Sequence, residues 1–125
     1  MLDTTVLVLA KDRFVAALLG ALTELSGHTA EFPRDGESSA LAVRRMHTGL
    51  ILLDCALGAA NCLSVSVAAR QAGTRVLMFS AAHTEREAND IAHHYGTDAF
   101  VLPVSPREFT GHIDRALTVD LPATR

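Results

Sequence analysis

The sequence predicts an α/β domain, a parallel sheet with helices on both faces. Three observations carry that prediction. Five short apolar runs recur along the 125 residues, each about the length of a strand. Three of them, Val6-Leu7-Val8-Leu9, Leu50-Ile51-Leu52-Leu53 and Val76-Leu77-Met78-Phe79, are apolar at every position, as strands covered on both faces are. Segments with helical spacing separate the runs, so strand and helix alternate five times. Right-handed crossovers then leave few topologies.

The elements follow in order. Residues 5–10 form the first run. Phe14, Val15, Leu18, Leu19, Leu22 and Leu25 then recur at helical steps, predicting one apolar face on a helix that Gly27 closes. Residues 29–32 are the second run. After the turn at Asp35-Gly36, a second helix is marked by Ala40, Leu41, Val43 and Met46. Residues 50–54 are the third run. A weaker third helix, with Leu63, Val65 and Val67, ends near Gly73. Residues 75–80 are the fourth run. Thr84 and Glu87 have capping-box spacing ahead of a fourth helix with Ile91 and Ala92. Residues 99–104 are the fifth run. The last helix has the clearest start: Ser105 as cap, Pro106 in the first turn and Glu108 three residues after the cap. Phe109, Ile113, Ala116 and Leu117 give its apolar face. Residues 1–118 are expected to form one domain, and 119–125, with Pro122, a loose C-terminal tail.

Composition excludes several classes. Apolar residues make up 49% and charged residues 20%, an ordinary globular balance. A net charge of −3 lacks the electrostatic footprint of a nucleic-acid binder. No apolar run approaches the roughly 20 residues that span a bilayer, and Met1-Leu2-Asp3-Thr4-Thr5 lacks the basic start of a signal peptide. Cys55 and Cys62 fit a reduced compartment. The expected location is the cytoplasm.

The third run ends in a single carboxylate, Asp54. Open α/β sheets place their chemistry at such strand ends, so Asp54 is either a reactive group or the relic of one. A plain helix cap or a partner for a cation is the simpler alternative. Other motifs are missing: there is no Gly-rich phosphate loop, nucleophile elbow or dinucleotide fingerprint. His93 and His94 are adjacent, so on a helix they point about 100° apart, and His83 adds no metal spacing. Cys55 and Cys62 read as small apolar residues. No metal, no cofactor and no enzymatic activity are expected.

Several stretches together carry a resemblance. Ser26-Gly27-His28-Thr29 ends the first helix, and Asp35-Gly36-Glu37 with Ala40-Leu41 opens the second. Leu50-Ile51-Leu52-Leu53-Asp54 ends the third strand in an acid. Val76-Leu77-Met78-Phe79-Ser80-Ala81 ends in a hydroxyl followed by a small residue, and Pro103-Val104-Ser105-Pro106-Arg107-Glu108 leads into the last helix. In order and spacing, from about Thr4 to Leu117, these stretches resemble the receiver domain of bacterial response regulators. The resemblance implies a flavodoxin-like (βα)5 sheet of strand order 2-1-3-4-5. It makes Asp54 the equivalent of the phospho-accepting aspartate and Ser80 the equivalent of the switch hydroxyl.

The departures from that family are equally specific. Its two metal-holding acids fall on Ala10 and Lys11, with Asp12 the remaining acid nearby. Counting from Ser80 puts Leu102 at the family's lysine and Ala99 at its switch aromatic; counting from Gly96 puts Pro103 and Phe100 there. Neither count recovers the lysine. The loop after Asp54 reads Gly58-Ala59-Ala60-Asn61-Cys62 in place of the family's Pro-Gly-x-Asp-Gly. Mg²⁺ wants an oxygen shell, which a methyl and an ammonium do not supply. Lys11 is either a solvated loop residue or a partner of Asp54 that lowers its pKa.

The resemblance therefore implies an atypical, degenerate receiver acting as a protein-interaction module, independent of Mg²⁺-dependent phosphorylation. Two alternatives stay open: a receiver that still takes phosphate at Asp54 in a phosphorelay, and a small-molecule-binding α/β domain. The implied partner is a histidine kinase, an output domain or a second copy. It would dock on the fourth helix, fifth strand and fifth helix (residues 84–94, 99–104 and 106–117), with Arg107 and His112 as contacts. No direct nucleic-acid or membrane contact is expected.

Overall fold

The structure, a computed structural model, describes residues 4–118; the expected tail lies outside them. The elements are β1 (Thr5–Leu9), α1 (Arg13–Leu25), β2 (Thr29–Glu31), α2 (Ser39–Arg45), β3 (Leu50–Asp54), a 3-10 turn (Cys55–Leu57), α3 (Ala59–Ala72), β4 (Arg75–Ser80), α4 (Glu85–His94), β5 (Ala99–Val101) and α5 (Pro106–Thr118). The strands pair in parallel, as the apolar runs predict, in the order β2-β1-β3-β4-β5, the one the resemblance implies. The fifth strand stops before the expected 104. The Leu102–Pro103 peptide, which is cis, follows it, and Pro103 has no N–H to continue a ladder.

Successive strand residues point to opposite faces, so the continuous apolar runs feed two cores. Leu7, Leu9, Ile51, Leu53 and Met78 pack with Val43 of α2, Cys62, Val65, Ala68 and Ala69 of α3, and Ala88 and Ala92 of α4. On the other face Val6, Val8, Leu50, Leu52, Leu77, Phe79 and Phe100 pack with Leu19 and Leu22 of α1 and Phe109 and Ile113 of α5. Caps delimit the helices. Asp12 caps α1, Ser38 caps α2, and Thr84 with Glu87 forms the expected capping box on α4. Ser105 and Glu108 make the reciprocal pair on α5.

The apolar face expected for α1 is corrected. Val15, Leu19 and Leu22 turn inward, but Phe14, Leu18 and Leu25 are 86%, 47% and 75% exposed. At 3.6 residues per turn the six positions span more than one stripe. The half nearest Leu19 meets the sheet and the other half faces outward. Leu41, Leu63 and Val67 are likewise exposed. The buried face of α3 is built from Cys62, Val65, Ala68 and Ala69, small side chains that hydrophobicity alone underrates.

Candidate functional site at the strand ends

The register of the sheet assembles the site. Leu9 is level with Leu53, and Asp54 with Phe79, so the ends of β1, β3 and β4 bring Lys11, Asp54 and Ser80 to one edge. Asp54 is buried, yet both its oxygens are engaged. Oδ2 accepts the main-chain N–H of Lys11 at 2.9 Å. Oδ1 accepts the N–H of Ala56 at 2.9 Å, which caps the 3-10 turn. The Cys62 thiol donates to the Asp54 carbonyl at 3.7 Å.

Lys11 thus meets Asp54 through its amide, not its side chain. The ion pair among the described residues is Arg45–Glu37, at 2.6 Å; of the two readings of Lys11, the charge pair with Asp54 is absent from them and the solvated loop residue stands. The Lys11 side chain is exposed. A hydrated ammonium gains little from an exposed pair, whereas a buried carboxylate needs a fixed donor. Asp12 is committed elsewhere. Its Oδ1 accepts the N–H groups of Phe14 (2.7 Å) and Val15 (3.1 Å) at the start of α1. The Mg²⁺ that the receiver fold implies does not fit these residues. Ala10 offers no side-chain oxygen, Asp12 faces its own helix, and no group of three His, Cys, Asp or Glu among the described residues is placed to hold a metal ion.

Ser80 is fully buried at the end of β4. Its Oγ accepts the N–H groups of Ala82 (3.1 Å) and His83 (3.0 Å) and lies 2.7 Å from Nδ1 of His83. With both lone pairs used, the hydroxyl proton points to Nδ1. The His83 contact was not legible in the sequence, although a Ser three residues before a His permits it.

Ala99 and Val101 face the α4 side of the sheet, whereas Phe100 is buried on the α1–α5 side. There it packs against Phe79 and edge-on to Phe109, and His112 stacks on it at 4.9 Å. Leu102, which one of the two counts puts at the family's lysine, packs against the same cluster and donates its N–H to Ser80 O at 2.8 Å. It brings no charge to the site. His112 belongs to this packing and accepts a hydrogen bond from Arg115 at Nδ1. Burial and the Arg115 charge lower its pKa.

Beside the turn, Cys55 and Cys62 line a groove of about 410 Å³ between α3 and α4, opposite Ile91, His94 and Tyr95. Burial, with Cys62 and Asp54 nearby, pushes the Cys55 thiol up to about 11. Burial and Asp54 also raise that of Cys62. Both behave as the small apolar residues expected. His93 and His94 are exposed, and His94 sits edge-on to Tyr95.

No protein-family model matches the chain, and no curated protein matches it. Solved structures do. A response regulator from Thermotoga maritima superposes with a TM-score of 0.78 at 15% identity, over 94% of this chain and 100% of that one. A response regulator receiver protein from Burkholderia phymatum gives 0.75 at 17% identity, over 97% and 100%. The fold is that of response-regulator receivers. NtrX from Brucella abortus gives 0.76 at 19% identity over 93% of this chain. This chain spans 26% of that NtrX chain. No described helix is long and apolar enough to cross a membrane.

Proposed function

We propose that this chain is an atypical receiver domain that works as a protein-interaction module in bacterial signalling, without Mg²⁺-dependent phosphorylation of Asp54. One observation carries the reading: the Lys11 amide holds Asp54 Oδ2 at the place where a receiver's acids would hold a metal. Phosphoryl transfer to a carboxylate depends on neutralising the phosphoryl oxygens. Here no metal set and no lysine at position 102 supply that charge. Such a domain signals by what it binds, and a partner shifts it between states only by differential affinity.

The proposed surface for a kinase or output domain is the face of α4, β5 and α5. Its exposed residues include Glu85, Arg86, His93, Arg107 and Arg115, a mixed-charge surface that favours salt-sensitive contacts. Arg107 is an exposed contact candidate. His112 is partly buried against Phe100, so its substitution disturbs packing before it disturbs docking. The reading makes the chain a cytoplasmic non-enzyme.

The test is intact mass after incubation with acetyl phosphate, with and without Mg²⁺, using Asp54→Asn as control. The expected result is no added phosphate in any arm. A Mg²⁺-dependent adduct lost in Asp54→Asn would overturn the proposal and make this a working phosphorelay receiver.

A further inference from the structure

We propose that two copies of this chain associate through α1, packed antiparallel about a twofold axis that passes between Leu18 and Ala21. This surface is separate from the α4-β5-α5 face and does not depend on the fate of Asp54.

The first observation is the exposed side of α1. Phe14, Leu18, Ala21 and Leu25 all face solvent, Phe14 and Leu25 at 86% and 75% exposure. Contiguous large apolar residues on an isolated domain mark an interaction surface. Their spacing, four, three and four residues, is that of a seam which packs against another helix. A flat sheet or a small ligand has no use for a seam that runs the length of a 13-residue helix, about 20 Å. Phe32, 41% exposed, covers Gly20 on the far side of the charged flank, so close that a Cβ there would come within 2.7 Å of it.

The second observation selects the occupant. Arg13 and Glu24 stand on the same flank of the seam, one at each end, and both are exposed. Arg13 has no ion-pair partner among the described residues. Glu24 spends Oε2 on the Ala30 N–H, and its Oε1 has no hydrogen-bond partner among the described residues. Antiparallel pairing sets Arg13 of one copy beside Glu24 of the other, and twofold symmetry repeats the pair at the far end. The same operation lays Phe14 beside Leu25 and Leu18 beside Ala21, large against large at the ends and large against small at the centre. A parallel pairing would bring each charge level with its own copy. The surface is therefore self-complementary in both shape and charge in one orientation.

Sedimentation equilibrium of the whole chain over a concentration series tests this. The expected wild-type mass rises from 13.3 kDa towards twice that value. Leu18→Glu stays monomeric at every concentration, with an unchanged circular dichroism spectrum because Leu18 is already half-exposed. Arg13→Glu and Glu24→Arg each weaken association about tenfold, as two exposed pairs allow, and the double charge swap restores it. A wild-type chain monomeric throughout, a dimer that survives Leu18→Glu, or a double swap that restores nothing would each overturn the proposal. The first of these would leave the seam to a helix of another protein.

Discussion

The main-chain nitrogen of Lys11 lies 2.9 Å from Oδ2 of Asp54. This contact ties the end of β1 to the end of β3 across 43 positions of sequence. A second amide, that of Ala56, holds the other oxygen. The carboxylate is thus a structural acceptor first, whatever further role it plays.

Asp54→Ala should therefore destabilise the fold by about 2 kcal/mol, since two amides at a partly buried edge lose a charged acceptor. Urea denaturation at neutral pH measures it. A loss near zero would show that water replaces the carboxylate without cost.

Ser80 and His83 should be coupled. In a double-mutant cycle with Ser80→Ala and His83→Ala, the interaction energy is expected at about 1 kcal/mol. The Ser80 change should be the more costly of the two, because it also strips the acceptor from the Ala82 and His83 amides. Additive single changes would contradict the 2.7 Å contact.

His112 predicts a pH dependence. Burial, then the neighbouring Arg115, lowers its folded pKa below the ordinary 6.5. Between the two values the unfolded chain binds more protons, so stability rises with pH there. The contribution is fully present above pH 6.5 and is lost as pH falls through the lower, folded value. Thermal melts from pH 7.5 to 5 should show a smaller decline in His112→Gln than in wild type. Equal slopes would place the dependence elsewhere.

Cys55 and Cys62 should resist thiol reagents in the native state. With Cys55 pushed up to about 11 and Cys62 also raised, little thiolate exists at pH 8. Reaction with a disulfide reagent at that pH should be at least about tenfold slower than in urea. Rapid native labelling would mean that the α3–α4 groove opens.

Much of the fold was legible. β3 and β4 coincide with their apolar runs at both ends, because a strand buried on both faces leaves an unbroken signal. The caps at Thr84 and Ser105 were readable because capping is local chemistry. The gathering of the candidate-site residues at the strand ends was legible in the sequence; their contacts were not. Asp54, Lys11 and Ser80 do meet at one edge, yet the Lys11 amide, rather than its charge, reaches the carboxylate. Side-chain identity says nothing about a main-chain donor. The capture of Ser80 by His83 depends on a turn geometry that residue types permit but do not require.

The sequence by itself determined the five alternating βα units, the parallel sheet and the absence of an acidic pair beside Asp54, since these follow from hydrophobic period, chirality and residue type; the strand order came from the family resemblance. Only the tertiary structure decided which side of each helix is buried. α1 carries apolar residues around more than half its circumference, and the sheet has room for one stripe of them. Packing assigned Leu19 and Leu22 to the core and left Phe14, Leu18 and Leu25 in solvent, a choice made by contacts between residues far apart in the chain.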